Sequence, residues 1–263
     1  MSLTILVTGA TDGIGRLTAK KLSELGHTVL IHGRNPQKLQ SVVSELPGES
    51  HPYAADLSKR ADVDELIAAL RDRHSRLDVL INNAGVLKTP TSKNQNGLDL
   101  RFVVNTLSPY LIARGLVPIM PTSGRIVNVS SAAQAPIDPE IMLGAGDPEP
   151  MEAYAQSKLA ITIWSQVLSA EMQSGPSVFS VNPGSLLASK MVKEGFGIAG
   201  NDLAIGADVL CGAATGGEFA KATGLYFDND ARQFAPPHPA AADREEVNLV
   251  METLEQGLKR FVV

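Results

Sequence analysis

The sequence is poor in cysteine and in aromatic residues: Cys211 is its single cysteine, and aromatic residues make up 5% of the 263 residues. A single cysteine excludes a disulfide within the chain and suits a reducing compartment. The five histidines are scattered in the sequence and form no group with cysteines and carboxylates at metal-ligand spacing. These absences predict a cytoplasmic location and no metal site.

Basic residues are fewer than acidic ones: the chain has 23 lysine and arginine residues and 28 aspartate and glutamate residues. Its net charge is −5 and its pI is near 5.6. A protein of this charge is not expected to bind nucleic acid or an anionic membrane surface. Residues 1–8 form an apolar run that is too short for a signal peptide or a membrane span, so no membrane anchor is expected. The remaining class of partner is a small molecule.

Strand-like and helix-like segments alternate along the whole chain, of which 44% is apolar. The short apolar runs predict strands at residues 3–7, 28–32, 52–55, 79–82, 125–130, 177–181 and 224–228. Segments with helical spacing lie between them, the longest at residues 96–120 and 151–172. This order predicts a single domain over residues 1–263, with a Rossmann-type, doubly wound α/β fold of about seven parallel strands and helices on both faces.

Two stretches, residues 133–150 and 228–243, are rich in proline and other loop residues. Loops that follow the strands of a doubly wound sheet gather at its carboxyl edge, where ligands bind. Residues 133–150 are therefore a candidate wall of a substrate site, and an ordinary surface loop is the alternative.

A glycine-rich turn, Thr8-Gly9-Ala10-Thr11-Asp12-Gly13-Ile14-Gly15, follows the first predicted strand and opens the first predicted helix. Glycines let the backbone turn tightly and approach a pyrophosphate, while the first amides of the helix favour an anion. The spacing is Gly-x-x-x-Gly-x-Gly rather than the common Gly-x-Gly-x-x-Gly. An ordinary loop can have this composition, but the position between a strand and a helix favours a dinucleotide site.

Gly33 and Arg34 end the second predicted strand, where an acidic residue would otherwise bind the ribose 2′-hydroxyl of NAD. A carboxylate would repel a 2′-phosphate, whereas a guanidinium can bind one with charge-assisted hydrogen bonds. The sequence therefore favours NADP(H) over NAD(H), and a solvated loop charge is the alternative for Arg34.

Tyr154 and Lys158 lie four residues apart in a segment without internal glycine or proline, so both side chains lie on one face of a helix. A neighbouring ammonium favours phenolate, so we expect Lys158 to lower the pKa of the Tyr154 phenol. A phenol of this kind can exchange protons near neutral pH. Both residue types are common on amphipathic helices, and a solvated pair is the usual outcome. The pair alone is therefore weak evidence for a catalytic site, and the other motifs of the chain decide its interpretation.

In these features the chain resembles the short-chain dehydrogenase/reductase family over nearly its whole length. The matching motifs are the glycine-rich turn, Asp56-Leu57, Asn82-Asn83-Ala84-Gly85, Asn105, Ser131 in Asn-Val-Ser-Ser, Tyr154 with Lys158, and Asn182-Pro183-Gly184. The resemblance implies a catalytic set of Asn105, Ser131, Tyr154 and Lys158. It also implies cofactor contacts from Gly9, Thr11, Asp12, Gly13, Ile14, Gly15, Arg34, Asp56, Leu57, Asn83, Ala84, Gly85, Tyr154, Lys158, Pro183, Gly184, Leu186 and Ser189.

The family's mechanism implies that NADPH reduces a carbonyl carbon while Tyr154 donates a proton and Ser131 binds the carbonyl oxygen. Lys158 would hold the nicotinamide ribose, and Asn105 would help a water chain return the proton. Ser130 competes with Ser131, since alternation directs only one of them at the site, and the family's pattern favours Ser131. The resemblance further implies a homodimer or homotetramer.

The chain departs from the compact members of the family in two places. Between Ser131 and Tyr154 lie 22 residues, a longer segment that resembles the retinol dehydrogenase, WW-domain oxidoreductase and protochlorophyllide reductase subgroup. Ala188 stands where the family usually has a threonine that binds the nicotinamide carboxamide. Either Ser189 replaces that threonine, or backbone groups near Leu186 anchor the carboxamide.

Residues 184–200 are expected to cover the substrate, and their apolar residues Leu186, Leu187, Met191, Val192 and Phe196 suggest a lipophilic ketone or aldehyde. Ordinary helix packing would explain the same residues. The leading hypothesis is a reversible NADPH-dependent carbonyl reductase. The alternatives are a non-catalytic NADP(H) sensor, which would not need the tyrosine and lysine pair, and a reductase of carbon–carbon double bonds with the same fold.

Overall fold

The central feature of the computed structural model, which describes residues 2–263, is a sheet of eight strands in the order β3-β2-β1-β4-β5-β6-β7-β8. The strands are β1 (Thr4–Val7), β2 (Thr28–Gly33), β3 (Ser50–Ala54), β4 (Val79–Asn82), β5 (Arg125–Val129), β6 (Ser177–Asn182), β7 (Tyr226–Asp228) and β8 (Gln233–Ala235). The chain order reverses direction between β1 and β4, which places a ligand crevice at the carboxyl ends of these strands. The predicted α/β fold is confirmed.

The eighth strand differs from the sequence-based prediction of about seven parallel strands. β1 to β7 are parallel, but β8 pairs antiparallel with β7 and places Phe234 opposite Phe227. Both rings contact Phe219, with ring centroids 5.5 Å and 4.9 Å from it. A strand of three residues carries too little periodicity to be recognised, and here the aromatic contact of β8 with β7 and Phe219 favours the hairpin.

The helices are α1 (Gly13–Glu24), α2 (Pro36–Glu45), α3 (Arg60–Arg73), α4 (Leu100–Phe102), α5 (Ser108–Leu116), α6 (Pro139–Met142), α7 (Pro150–Glu171), α8 (Lys190–Phe196), α9 (Leu203–Thr215) and α10 (Arg244–Arg260). The side chains of Glu194 and Phe196 lie outside the described part of the structure. The helix predicted at residues 96–120 begins at Leu100 because the Asp99 side chain accepts a hydrogen bond from the Arg101 amide and caps it.

The core consists of two layers because successive strand residues point to opposite faces of the sheet. Leu6 packs in the layer formed with α3, α5, α7 and α10. Its neighbours Ile5 and Val7 pack in the layer formed with α1, α2 and α9. Both faces of the sheet are therefore covered by helices.

A continuous helical run, Leu100–Ile119, joins α4 and α5 through a π-helical turn, Val103–Leu107. Its length and mean hydropathy of 1.3 would suit a membrane span, but 56% of the window is buried inside the protein. The run packs against α3 and α7. Burial in the core of the domain accounts for this composition, and the predicted cytoplasmic location stays a prediction.

Residues 133–150 are packed against the body of the domain. Ile137 and Met142 are buried in the core layer that contains α7 and α10. Gly144 adopts a φ of +89°, and a Cβ atom at this position would lie 1.8 Å from the carbonyl oxygen of Gly97. The segment therefore touches the chain just before α4, and its role as a wall of the substrate site stays a prediction.

Candidate active site

The predicted site residues follow six neighbouring strands at one edge of the sheet. Because β1 to β6 are parallel, their carboxyl ends meet there, and the register pairs Val7 with Ile81 and Val129 with Val181. The structure brings together at this edge the segments 8–15, 33–34, 56–57, 83–85, 130–131 and 182–189.

The glycine-rich turn is packed directly against the segment after β4. Gly9 has a φ of +66°, and a Cβ atom on it would lie 2.8 Å from the Cα atom of Ala84. A Cβ atom on Gly15 would lie 2.3 Å from Nδ2 of Asn83. These glycines are required by close contacts with the backbone of Ala84 and the side chain of Asn83, so the turn keeps its shape through packing as well as through conformation.

Asn83 and Thr8 hold the two segments together. The Asn83 amide donates to the carbonyl oxygens of Thr8 at 2.8 Å and Gly9 at 3.2 Å. The Thr8 hydroxyl accepts from the backbone amides of Asn83 and Ala84, each at 3.0 Å. The side chain of Asn83, which the resemblance assigns to cofactor binding, therefore braces the turn.

The first turn of α1 is capped within the glycine-rich segment. The Asp12 carboxylate accepts a hydrogen bond from the amide of Gly13 at 2.8 Å and is itself exposed. A Cβ atom on Gly33 would lie 2.5 Å from Cγ2 of Thr11, so this part of the turn rests on the end of β2. The amino end of α1, with Ile14 in its first turn, faces the crevice.

His32 is a site residue that the sequence analysis did not identify. Its Nδ1 atom lies 3.2 Å from the amide nitrogen of Gly9, and its Nε2 atom lies 3.1 Å from the carbonyl oxygen of Ala55. The amide of Gly9 must donate and the carbonyl of Ala55 must accept, so these contacts require a neutral ring with the proton on Nε2. Burial lowers the pKa of His32 to about 4. His32 thus ties the glycine-rich turn to the end of β3.

This environment makes the protein sensitive to acid. An ordinary histidine has a pKa of about 6.5. Between pH 6.5 and 4 the unfolded chain binds a proton at His32 that the folded chain does not, so the free energy of unfolding falls as the pH falls. We expect a loss of up to about 3 kcal/mol across this window, measured by urea unfolding at a series of pH values.

The variant His32→Asn keeps an acceptor for Gly9 but has no group that titrates. It should be less stable at pH 7 by about 1–3 kcal/mol and show a weaker dependence on pH between 4 and 6.5. His51→Asn, which changes a partly exposed histidine on β3, is the control. An unchanged pH slope in His32→Asn would show that other groups cause the acid sensitivity.

The end of β2 carries a positive charge. Arg34 is exposed and, within residues 2–263, forms no ion pair or hydrogen bond. Asp56 accepts hydrogen bonds on Oδ1 from the amide and hydroxyl of Ser58, at 3.0 Å and 2.8 Å, and Leu57 is buried. Arg16 forms an ion pair with Glu45, so its charge is already compensated.

The predicted catalytic set is assembled from three elements. Ser131 follows β5, Tyr154 and Lys158 lie in α7, and Asn105 lies in the π-helical turn. The Ser131 hydroxyl lies close enough to the Tyr154 phenol to lower its pKa, and the ammonium of Lys158 lies 5.6 Å from the centroid of the Tyr154 ring. The four residues therefore line one site.

Lys158 is almost completely buried, and its ammonium donates to the carbonyl oxygen of Val129 at 2.7 Å. Burial lowers the pKa of Lys158 to about 8. The pKa of the Tyr154 phenol is raised by burial, and the hydrogen bond with Ser131 opposes this change. The predicted lowering of the tyrosine pKa by Lys158 is therefore wrong, because the ammonium lies over the ring face and donates to a backbone carbonyl.

The two adjacent serines have different roles in the structure. The hydroxyl of Ser130 is buried and contacts the carbonyl oxygen of Lys158 at 3.1 Å and the hydroxyl of Thr162 at 2.7 Å. The hydroxyl of Ser131 accepts from the amide of Ala133 at 3.1 Å and faces Tyr154. Ser130 connects β5 to α7, and the choice of Ser131 as the serine of the site stays a prediction.

Asn105 is completely buried. Its side-chain oxygen accepts from the amide of Val86 at 2.8 Å, while its amide donates to the carbonyl oxygen of Val86 and the hydroxyl of Ser157, both at 3.0 Å. Ser157 in turn donates to the carbonyl oxygen of Tyr154 at 2.7 Å. Asn105 thus links the segment after β4 to α7, and π-helical turns are frequent at functional sites.

Gly85, which has no side chain, leaves space beside Asn105 and Lys158. A Cβ atom on Gly85 would lie 3.4 Å from the side-chain oxygen of Asn105 and 3.6 Å from the ammonium of Lys158. The cradle lined by Gly85, Asn105 and Lys158 fits the ribose of a nicotinamide nucleotide, whose hydroxyls can accept from an ammonium. The residues present therefore suit a dinucleotide cofactor.

The segment after β6 is the one that the sequence predicts to cover the substrate. Pro183 and Gly184 begin it, and Leu186 has a left-handed φ of 53°. The backbone carbonyl of Leu186 accepts from the amide of Asn201 at 2.7 Å. The Ser189 hydroxyl accepts from the amide of Val192 at 3.3 Å and caps α8. Ser189 also lies near Gly13, whose added Cβ atom would be 3.7 Å from the serine Cβ.

The same segment also contacts the loop after β4. A Cβ atom on Gly195 of α8 would lie 2.8 Å from Cδ2 of Leu87, in the loop after β4. Among the predicted apolar residues, Leu187 is buried while Leu186 is 43% exposed. The side chain of Phe196 lies outside the described residues. The segment therefore spans from the end of β6 to the loop after β4.

Comparisons with known proteins agree with this geometry. Residues 3–196 match the model of the short chain dehydrogenase family. Human retinol dehydrogenase 13 is 31% identical over 267 residues, covering 92% of this chain and 80% of that protein. A Streptomyces sp. (strain C5) protein, named as the daunorubicin C-13 ketoreductase DnrU, is 31% identical and covers 91% and 87%.

A solved structure is also similar. The landomycin C-6 ketoreductase LanV, crystallised with NADP and rabelomycin, is 30% identical with a TM-score of 0.66, covering 86% of this chain and 94% of that chain. The family has a nicotinamide dinucleotide cofactor and acts on small molecules. The family model covers most of the chain, and the relatives are similar over nearly its whole length. The chain is therefore an oxidoreductase of the short-chain dehydrogenase/reductase family.

Proposed function

We propose that the protein is an NADP(H)-dependent carbonyl reductase that reversibly converts a lipophilic ketone or aldehyde to an alcohol, as a cytoplasmic homodimer or homotetramer. The observation that carries the proposal is the convergence of Ser131, Tyr154 and Lys158 beside the cradle at Gly85. A protein that only senses NADP(H) has no chemical need for a phenol with its own hydrogen-bonding serine. The arrangement therefore supports catalysis over sensing.

When bound, the cofactor supplies the hydride to the carbonyl carbon. The chain's own residues bind and polarise the substrate. Tyr154 remains protonated at neutral pH because burial raises the pKa of its phenol, so it can donate a proton to the developing alkoxide. Ser131 holds the same oxygen by a second hydrogen bond. Reduction is therefore the direction for which Tyr154 is protonated in advance.

Lys158 and the glycine-rich segment hold the cofactor in this scheme. The Lys158 ammonium faces the Gly85 cradle, where it would donate to ribose hydroxyls. The pyrophosphate would lie at Gly13 and the amino end of α1. Asp56 keeps Oδ2 available for the adenine, because its hydrogen bonds from Ser58 both use Oδ1. Either the Ser189 hydroxyl, which accepts from the amide of Val192 and can still donate its proton, or backbone groups near Leu186 would anchor the carboxamide.

A lipophilic substrate is supported by two observations. The segment after β6 carries Leu186, which is 43% exposed, and the partly exposed Met191 and Val192, beside the charged residues Lys190 and Lys193. The similar proteins include a retinol dehydrogenase and enzymes named as ketoreductases of daunorubicin and landomycin. The compounds in these names are large organic molecules, so a bulky lipophilic ketone or aldehyde is the first class to test.

Preference for NADPH should depend on Arg34. A charge-assisted hydrogen bond contributes about 1.5–3 kcal/mol, so Arg34→Ala should lower the ratio of kcat/KM for NADPH to that for NADH by about 10- to 100-fold. Arg34→Asp should lower it further because a carboxylate repels the 2′-phosphate. Arg16→Ala is the control, since Arg16 is paired with Glu45. Equal losses with both cofactors would contradict the assignment of Arg34 to the phosphate.

The proposed function is tested by following NADPH oxidation with ketones and aldehydes that include retinal, aromatic polyketide ketones and simple aliphatic carbonyls. Identification of the product separates reduction of the carbonyl group from reduction of a conjugated double bond. An alcohol product would support the proposal. Tight NADPH binding without turnover of any carbonyl compound would favour the sensing alternative, and a saturated ketone product would favour the alkene reductase.

A further inference from the structure

The backbone carbonyl of Ser131 is held by two side chains outside the predicted site. The amide of Gln134 donates to this oxygen at 2.8 Å, and the phenol of Tyr226 donates to it at 3.1 Å. Gln134 belongs to the wall after β5, and Tyr226 begins β7. Two donors converging on one carbonyl of an irregular segment restrict how Ser131 can rotate.

Tyr226 reaches Ser131 from a different part of the sheet. β6 lies between β5 and β7, and its small residue Ser180 pairs with Tyr226 in the register. Tyr226 is 5% exposed, and burial, followed by the nearby Asp228 carboxylate, raises the pKa of its phenol. The phenol therefore stays protonated and remains a hydrogen-bond donor throughout the working pH range.

Gln134 extends this contact to the last loop of the chain. Its side-chain oxygen accepts from the amide of His238 at 3.2 Å, at the start of the 3₁₀ turn that precedes α10. The hydroxyl of Ser131 is meanwhile directed by the amide of Ala133 at 3.1 Å. Tyr226 of β7 and Gln134 of the segment after β5 thus fix the backbone conformation of Ser131, and with it the position of the Ser131 hydroxyl.

We propose that Tyr226 is a positioning residue. Its phenol donates to the carbonyl oxygen of Ser131 and thereby keeps the Ser131 hydroxyl directed at the Tyr154 phenol. This inference rests on the proposed function, in which Ser131 and Tyr154 bind the substrate oxygen. Tyr226 acts through Ser131 and has no contact with the glycine-rich turn, so it should affect turnover and leave cofactor binding unchanged.

The variant Tyr226→Phe keeps the buried ring and removes one donor. Small displacements of catalytic groups are costly, and we expect kcat to fall about tenfold with the KM and Kd for NADPH unchanged. In a Ser131→Ala background the same change should cause no further fall, because the hydroxyl that Tyr226 positions is absent. Gln134→Leu, which removes the other donor, should act in the same direction.

Tyr53→Phe is a matched control. Its phenol lies 2.6 Å from Nε2 of His74, and β3 is at the opposite end of the sheet from β7. This variant also loses a hydrogen bond of a buried tyrosine, so it reports the effect on stability alone. We expect a lower melting temperature and an unchanged kcat.

A second readout does not depend on turnover. In protein labelled with carbon-13 at the tyrosine ring, the Cζ resonance of Tyr154 reports its hydrogen bond with Ser131. Assignment is direct because the chain has four tyrosines, each of which can be changed to phenylalanine. The Tyr154 resonance should move in Tyr226→Phe toward its position in Ser131→Ala and stay unchanged in Tyr53→Phe.

The inference is overturned if the Tyr154 resonance and kcat of Tyr226→Phe match the wild type. It is also overturned if kcat falls by the same factor with and without the Ser131 hydroxyl. A wild-type protein that reduces no carbonyl compound would defeat the proposed function, and the Tyr154 resonance in the three variants would still decide the role of Tyr226.

Discussion

Tyr154→Phe should lower kcat by about 10²- to 10⁴-fold while the protein still binds NADPH. The substitution removes the only hydroxyl that the proposed mechanism uses as an acid and leaves a ring of the same size over which Lys158 can lie. Ser131 would remain to bind the substrate oxygen, so the KM for the carbonyl compound should change far less than kcat. Steady-state kinetics and NADPH fluorescence titration measure the two effects separately.

Tyr110→Phe is the matched control for this prediction. Tyr110 is partly buried in α5, where it contacts the ring of Trp164 and the guanidinium of Arg114, away from the crevice. Its loss should leave kcat unchanged. A kcat in Tyr154→Phe within a few-fold of the wild type would show that another group, or water, supplies the proton.

Lys158→Met should abolish most activity and leave the protein at least as stable as the wild type. The ammonium is almost completely buried, and the difference between the ordinary lysine pKa of 10.5 and about 8 corresponds to a cost of about 3 kcal/mol at neutral pH. A methionine avoids this cost but leaves the carbonyl oxygen of Val129 without its donor, which costs about 1–3 kcal/mol. These two opposite effects on the free energy of unfolding roughly cancel, or leave the variant slightly more stable than the wild type.

The pH dependence provides a sharper measurement. Below pH 8 Lys158 holds its proton in both the folded and the unfolded chain, so the full cost is present. Between pH 8 and 10.5 the unfolded chain holds a proton that the folded chain has released, and the free energy of unfolding therefore rises with pH. Lys158→Met should lack this rise, while Lys259→Met, at an exposed position of α10, should retain it.

Activity should fall by about 10²- to 10⁴-fold in Lys158→Met, because the site loses both the donor to the ribose and the positive field near the reacting oxygen. Affinity for NADPH should also fall, which distinguishes this variant from Tyr154→Phe. A marked loss of stability at pH 7 would contradict the view that the buried ammonium is kept for function rather than for folding.

The sequence predicted the parts of the site that lie within single short segments. The glycine-rich turn, the tyrosine and lysine of α7 and the choice of Ser131 over Ser130 each depend on local spacing or on the family's pattern. The seven parallel strands were predicted for the same reason, since each has its own apolar run. Such features are determined by neighbouring residues in the chain, and a local pattern is enough to recognise them.

The missed features depend on contacts between distant segments. His32 has the alternation of an ordinary strand residue, and its two hydrogen bonds appear only when β2 is placed between β1 and β3. Whether the pKa of Tyr154 is raised or lowered depends on how deeply the phenol is buried and on where the Lys158 ammonium points. Helical spacing specifies neither of these. β8 exists because three phenylalanines from separate segments meet.

The contact between Gly144 and Gly97 limits how the enzyme's selectivity can be redesigned. A loop that places any residue other than glycine at position 144 would bring a side chain to the place where the two backbones touch. Gly97 lies just before the helical run that carries Asn105, so a displaced backbone there would disturb the start of that run. Libraries that vary residues 133–150 should therefore keep Gly144, and variants that replace it should be mostly unstable.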